Sequence, residues 1–319
     1  GLRKYRTELI ADTVVSGVQI VALTGEEESR QHFEPRSSGV NPKASIRYVH
    51  NQHLQWYALA AKGFQFGGVQ LNPPVEAFVT SAEQAGFHFA PYKSSDLWNY
   101  ETGIRTDWLD RRLRFDVSLF YLDWSDLQLT IAVPLSGTDA TFGIIANVGR
   151  AHSAGIETAL EVIPFRGAKW TSSAAWIEAV TDVPFDESNS DGPVPPGTRL
   201  PGTPRFAWAN VFSYEYTVPF YGNWTLNPVV THSHIGESPD GIRPEGMIGG
   251  YDTLDARFAL VKSDSKYQPE ISVGINNITN VPGVTFHDQA TAATGSGNTF
   301  DLTHFVPPRT AMLSLSFKY

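Results

Sequence analysis

Apolar and polar residues alternate with a period of two along most of this chain, and helical periodicity is almost absent. In the last segment Ala311, Leu313, Leu315, Phe317 and Tyr319 share one face, with Thr310, Met312, Ser314, Ser316 and Lys318 on the other. From Leu113, the row Leu113, Phe115, Val117, Leu119, Tyr121 opposes Arg114, Asp116 and Ser118. Further rows run through Phe206, Trp208, Phe212, Tyr214, Tyr216 and Val218, and through Ile156, Leu160 and Val162 against Glu157 and Glu161. Only a strand sends successive side chains to opposite faces in this way. About twelve strands are expected, at roughly 1–20, 39–50, 53–67, 97–109, 113–131, 143–164, 169–182, 204–218, 223–236, 249–262, 268–279 and 307–319.

The connections alternate in length. Tight turns are expected near Asn51-Gln52, Asp110-Arg111, Phe165-Arg166-Gly167, Phe220-Tyr221-Gly222 and Asp264-Ser265. Between them fall long polar or Gly/Pro-rich loops, at roughly 21–38, 68–96, 133–142, 183–203, 237–248 and 280–306. Short turns at one end and long loops at the other are the layout of an outer-membrane barrel.

Aromatic placement says which face such a barrel turns outward. Trp98 and Trp108 bracket the row Trp98, Tyr100, Thr102, Ile104, Thr106, Trp108. Ten residues of strand span ~33 Å, or ~23 Å of height at ~45° tilt, close to the ~25 Å apolar band between two aromatic girdles. The opposite faces carry Arg47, Glu101, Arg105, Asp107, Arg114, Asp116, Glu157, Glu161, Asp255 and Arg257. A small packed core does not hold that many charges. They suit a wide lumen that is wet or plugged.

Composition narrows the function classes. Lys+Arg 24 against Asp+Glu 33 leaves −9 over 319 residues, where a nucleic-acid binder carries a basic surface. With no Cys, the chain has no disulfide scaffold, thiolate metal site or cysteine nucleophile. No run approaches the ~18 apolar residues of a membrane helix. The start, Gly1-Leu2-Arg3-Lys4-Tyr5, lacks Met and an apolar signal region, and is expected to be a cut inside a larger protein. Nothing supplies a nucleophile–base pairing, so no enzymatic activity is expected.

Several runs, in order along the chain, resemble the C-terminal half of a TonB-dependent outer-membrane receptor of the iron–siderophore type. They are Asn41-Pro42-Lys43-Ala44-Ser45-Ile46-Arg47-Tyr48, Ala61-Lys62-Gly63-Phe64, Leu97-Trp98-Asn99-Tyr100-Glu101-Thr102-Gly103 and Leu119-Phe120-Tyr121-Leu122-Asp123-Trp124. Asn147-Val148-Gly149-Arg150-Ala151, Leu200-Pro201-Gly202-Thr203-Pro204-Arg205, Asn276-Asn277-Ile278-Thr279-Asn280 and Pro308-Arg309-Thr310 continue the set. The terminal Leu313, Leu315, Phe317 and Tyr319 resemble the aromatic-ended final strand that barrel assembly machinery reads.

The resemblance implies an all-β, antiparallel transmembrane β-barrel in the bacterial outer membrane. Residues 1–319 would be one barrel domain holding the last twelve of 22 strands, without the plug. It implies uptake of a scarce ligand such as a ferric siderophore, with cobalamin, saccharides or aromatic compounds as other family cargoes. Outer-membrane lipid, lipopolysaccharide and, through the missing N-terminal region, the TonB complex are the implied partners. No cofactor is implied.

Candidate ligand residues lie in the long loops. Phe78, Phe87, His88, Phe89 and Tyr92 between Gly68 and Asp96 either grip a ligand or pack the loop onto the barrel rim, and Phe142 and Phe300 have the same status. Glu101, Arg105, Arg114, Glu157, Glu161 and Arg257 are expected to face the lumen. His232 and His234, two apart on one strand face, have a spacing that permits joint metal ligation. Asp and Glu neighbours at a matching spacing are missing, and two imidazoles just beyond the aromatic girdle are expected instead. Gly149 and Gly155 fit a bulge or a close backbone approach.

Two rivals remain at this stage. A passive porin or barrel adhesin lacks the receptor-like runs, and a soluble all-β module points Leu113, Phe115, Val117 and Leu119 inward. Replacing Leu119 with Arg is expected to cost ~2–4 kcal/mol of folding stability in bilayers, the penalty for a midplane charge on the lipid face. Equal stability of the two proteins in urea titrations from lipid vesicles contradicts that placement.

Overall fold

Period-two alternation becomes strand over most of the chain, in a computed structural model that describes residues 2–8, 11–16, 28–33, 36–68, 92–134, 141–185, 192–218, 223–242, 246–262, 264–291 and 299–318. Within 2–37, 132–143 and 288–302 the description covers the backbone alone. β1 (Leu2–Glu8) is followed by a hairpin of β2 (Ala11–Ser16) and β3 (Glu28–Phe33). Then come β4 (Arg36–Asn51), β5 (Leu54–Gln65), β6 (Ser95–Trp108) and β7 (Leu113–Ser125). A second hairpin, β8 (Gln128–Pro134) and β9 (Thr141–Asn147), precedes β10 (Arg150–Val162) and β11 (Ala168–Thr181). β12 (Phe206–Tyr214), β13 (Tyr216–Val218) and β14 (Trp224–Ile235) follow. The short β15 (Ser238–Pro239) and β16 (Met247–Ile248) lead to β17 (Tyr251–Val261) and β18 (Glu270–Asn276). A third long-loop hairpin, β19 (Val284–Thr291) and β20 (Thr299–Phe305), precedes β21 (Thr310–Ser316).

One antiparallel sheet runs β1-β4-β5-β6-β7-β10-β11-β12-β14-β17-β18-β21, with β13 alongside β14. Each strand pairs with its neighbour in the path, as an up-and-down meander requires. The register keeps every face consistent, since directly paired residues share a side. Tyr48 pairs Trp56, Trp56 pairs Ile104, Ile104 pairs Val117, Leu119 pairs Ile156, and Ile156 pairs Trp176. Trp176 pairs Phe206, Phe212 pairs Val230, Phe258 pairs Val273, and Val273 pairs Leu313. The apolar rows of the sequence therefore join into one continuous face.

That face is uncovered. Leu119 is 54% exposed, Phe258 53% and Leu313 72%, while the buried apolar cluster is confined to the long-loop end around Leu127, Ile131, Ile144, Val194 and Leu200. Exposed rows of this extent far exceed the few hundred Å² that a soluble monomer tolerates. At the long-loop end the face stops at ion pairs: Lys62–Asp96 at 2.8 Å, Arg150–Asp123 at 3.0 Å and Arg205–Glu178 at 2.8 Å. The soluble module that turns Leu113, Phe115, Val117 and Leu119 inward does not match this arrangement.

The strand boundaries expected at 113–131 and 143–164 are too long. Asp126 and Gly149 adopt left-handed backbone (φ 54° and 104°), and Leu127 N–H donates to the Gly149 carbonyl at 2.9 Å. This ends β7 early, starts β10 late and turns Gln128–Asn147 into a separate hairpin. Likewise, the loops expected at 133–142 and 280–306 contain strand, because a hairpin that leaves the main sheet keeps the same alternating signal. At the tight turn after β6, Leu109, Asp110 and Arg111 all take positive φ.

Candidate functional site

The face opposite the apolar rows carries the charges and two hollows. Parity places Glu101, Arg105, Arg114, Glu157, Glu161 and Arg257 there together with Asp107, Asp116 and Lys169. Toward the tight-turn end they form a network. Arg114 Nε meets Asp107 Oδ1 at 2.8 Å, Arg114 Nη1 meets Glu161 Oε1 at 3.5 Å, and Lys169 Nζ meets Glu161 Oε2 at 2.6 Å. Arg257 pairs with Glu270 and donates to Ser272 Oγ at 3.3 Å. Glu157 stands across from Ser118 and Ala175 and has no ion-pair partner among the described residues.

The mid-strand hollow, of about 590 Å³, has a floor of small side chains: Ala159, Ser173, Ala175, Ala207, Ala209 and Ser233. Its walls bring Tyr57, Glu101, Arg105, Asp116 and Glu157 together. The Tyr57 hydroxyl donates to Glu101 Oε1 at 2.5 Å, and the Arg105 guanidinium lies 5.1 Å from the Tyr57 ring centroid, a cation–π distance. Gly103 makes this possible. It pairs with Tyr57 across β5 and β6, and a Cβ there would lie 2.7 Å from the ring.

The loop-side hollow, of about 490 Å³, is walled by Phe120, Leu122, Trp124, Leu129, Ile177 and Leu200. Its polar groups are Asn99, Glu101, Ser153, Glu157 and Thr203. Gly155 repeats the ring-over-glycine device, since it pairs with Phe120 and a Cβ would come within 2.7 Å of that ring. Glu101 and Glu157 line both hollows.

The loop candidates are placed differently. Phe78, Phe87, His88 and Phe89 lie outside the described residues. Phe142 and Phe300 sit in the β8–β9 and β19–β20 hairpins, opposite Val133 and Ala290, with only their backbone described. Tyr92 closes the neck of its loop: its carbonyl accepts Gly68 N–H at 3.1 Å and its ring lies against Gly68. That contact holds the loop base.

Contrary to the expectation that acidic neighbours are missing, His232 and His234 have one. Asp252, paired with His234 in the next strand, has Oδ1 2.9 Å from His232 Nε2 and 3.1 Å from His234 Nδ1. Cross-strand partners are invisible to spacing within one strand. No group of three or more His, Cys, Asp or Glu placed to hold a metal ion occurs among the described residues.

Sequence reasoning missed Tyr57, Asn99, Phe120, Leu122, Trp124 and Ile177 as lining residues. A signal existed for some of them. The run Leu119-Phe120-Tyr121-Leu122-Asp123-Trp124 is apolar on both faces, unlike a strand with one wet side.

A family model described as the TonB dependent receptor-like β-barrel matches residues 12–278. Among solved structures, the ferric yersiniabactin uptake receptor FyuA from Yersinia pestis is 19% identical with a TM-score of 0.66, covering 92% of this chain and 39% of that one. The ferric-catecholate import receptor Fiu from E. coli K12, closed form, is 19% identical with a TM-score of 0.60, over 99% and 41%. The ferric preacinetobactin receptor BauA from Acinetobacter baumannii is 14% identical with a TM-score of 0.61, over 91% and 38%. The chain thus spans about two fifths of the length of these structures.

Gly103→Ala is expected to destabilise the folded chain by about 1–3 kcal/mol through overpacking and to turn the Tyr57 ring away from Glu101. Urea titration in detergent, with Gly274→Ala as a control where a Cβ meets only the Ala256 carbonyl at 3.8 Å, reads the difference.

Proposed function

Because the chain belongs to the TonB-dependent receptor β-barrel family, we propose that it forms the ligand-conducting wall of an outer-membrane receptor that imports a scarce ligand such as a ferric siderophore. The observation that carries this reading is the division of one sheet into a continuous uncovered apolar face and a charged, hollowed one. The first face suits acyl chains, and the ion pairs that end it suit the headgroup layer of lipid and lipopolysaccharide. The second lines a passage. The similar FyuA, Fiu and BauA structures are receptors for ferric yersiniabactin, ferric catecholates and ferric preacinetobactin.

The chemistry is recognition and gated movement, with no bond made or broken. Long loops capture the ligand, the hollows offer successive resting places, and coupling to TonB in the assembled receptor supplies the energy. A ligand drives such a transition only through different affinities for its two states.

Growth under iron limitation tests the reading. A strain lacking the gene is expected to lose energy-dependent accumulation of its ferric chelate and to regain it on complementation. Complementation by a gene deleted for residues 70–90 is expected to restore an assembled barrel without ligand capture. Unimpaired accumulation in the deletion strain across ferric, cobalamin and saccharide cargoes would refute the uptake function.

A further inference from the structure

We propose that the loop-side hollow selects a cationic ligand with a compact aromatic or alkyl body, and that Glu101 and Glu157 set this charge preference. The proposal deepens the uptake reading by naming a ligand class, and rests on it only for the biological setting. At about 490 Å³ the hollow falls within the range of small-molecule sites, and its walls have their usual make-up of mostly apolar surface with a few converging polar groups.

Both carboxylates and the Asn99 oxygen favour the same ligand chemistry. Glu101 and Glu157 accept hydrogen bonds and cannot donate them when ionised. Asn99 adds a carbonyl oxygen, Oδ1, that is buried and has no hydrogen-bond partner among the described residues. A buried acceptor without a donor costs free energy, which a donor brought by a ligand recovers. Tyr57 occupies only one oxygen of Glu101, and Glu157 has no ion-pair partner among the described residues.

No Lys, Arg or His is among the described residues that line this hollow. Arg105 lines the mid-strand hollow and is turned onto the Tyr57 ring, while Arg199, next to the loop-side hollow, is held by the Thr203 and Glu237 carbonyls at 3.1 and 3.3 Å. A polyanionic chelate entering the loop-side hollow therefore meets two carboxylates and, among the described lining residues, no counter-charge. An ammonium ion meets the same carboxylates together with the rings of Phe120 and Trp124, whose faces attract cations. Both carboxylates also border the mid-strand hollow.

The test uses two probes with one ring system and opposite charge, 1-naphthylmethylammonium and 1-naphthoate. Each is titrated into the full detergent-solubilised chain and followed by quenching of tryptophan fluorescence. The ammonium probe is expected to bind at least about tenfold more tightly, the scale of one retained charge contact. Trp124→Phe is expected to remove most of the response, locating the probe in the hollow. Glu157→Gln is expected to weaken the ammonium probe by about tenfold and leave the carboxylate probe no weaker.

Equal binding of the two probes, preference for naphthoate, or an unchanged ratio in Glu157→Gln overturns the proposal. If Glu157→Gln loses the heat-modifiable gel migration of a folded barrel, the probe ratio in the unsubstituted chain and the loss of ammonium affinity in Asn99→Leu decide instead. None of these measurements needs energised membranes. Failed import with a retained charge preference discards the uptake reading and keeps the site, and the converse discards the site alone.

Discussion

Burying a large apolar surface is what folded chains do in water, and this sheet leaves its long apolar rows uncovered. Removing apolar surface from water is worth roughly 25 cal/mol per Å². The continuous rows through Trp56, Ile104, Leu119, Ile156, Trp176, Phe258 and Leu313 thus represent a driving force that water leaves unused. A bilayer supplies the missing solvent, and backbone pairing from strand to strand satisfies the polar main chain that lipid cannot. The aromatic brackets and the ion pairs at the long-loop end follow from that requirement. With the apolar rows committed outward, the other side is free to hold charges and cavities that no packed core accepts.

The inner side is shaped as much by what is absent as by what is present. Gly103 and Gly155 leave room for Tyr57 and Phe120 to lie across a neighbouring strand. One ring reaches Glu101 and the other walls the loop-side hollow. The alanines and serines of β10 to β14 keep the floor low between these rings. The paired network of Asp107, Arg114, Glu161 and Lys169 satisfies its own charges at the tight-turn end, whereas Glu101 and Glu157, which line both hollows, keep acceptor capacity. The proposed function of this face depends on that contrast between satisfied and unsatisfied groups.

Much of the fold was legible because period-two alternation is a local signal. Rows such as Leu113 to Tyr121 carry both the strand and its orientation in a few residues, and the twelve-strand path follows from them. The hairpins Gln128–Asn147 and Val284–Phe305 were not separable from barrel strand or loop. Their alternation is the same, and what detaches the first is the backbone at Asp126 and Gly149. The site was less legible. Tyr57 with Glu101, and His232 and His234 with Asp252, meet only across strands, so the register had to be known before their contacts could be seen. Tyr92, the one candidate ligand ring whose side chain is described, supports its own loop base.

The absence of Cys permits the most direct test of the orientation on which this account depends. Single cysteines placed at Phe115, Val117 and Leu119, and in separate proteins at Asp116, Ser118 and Phe120, would carry a bimane label on the chain reconstituted in vesicles. Brominated acyl chains are expected to quench the label at 115, 117 and 119, while aqueous iodide quenches it at 116, 118 and 120. The reverse pattern, or quenching without alternation, contradicts the account.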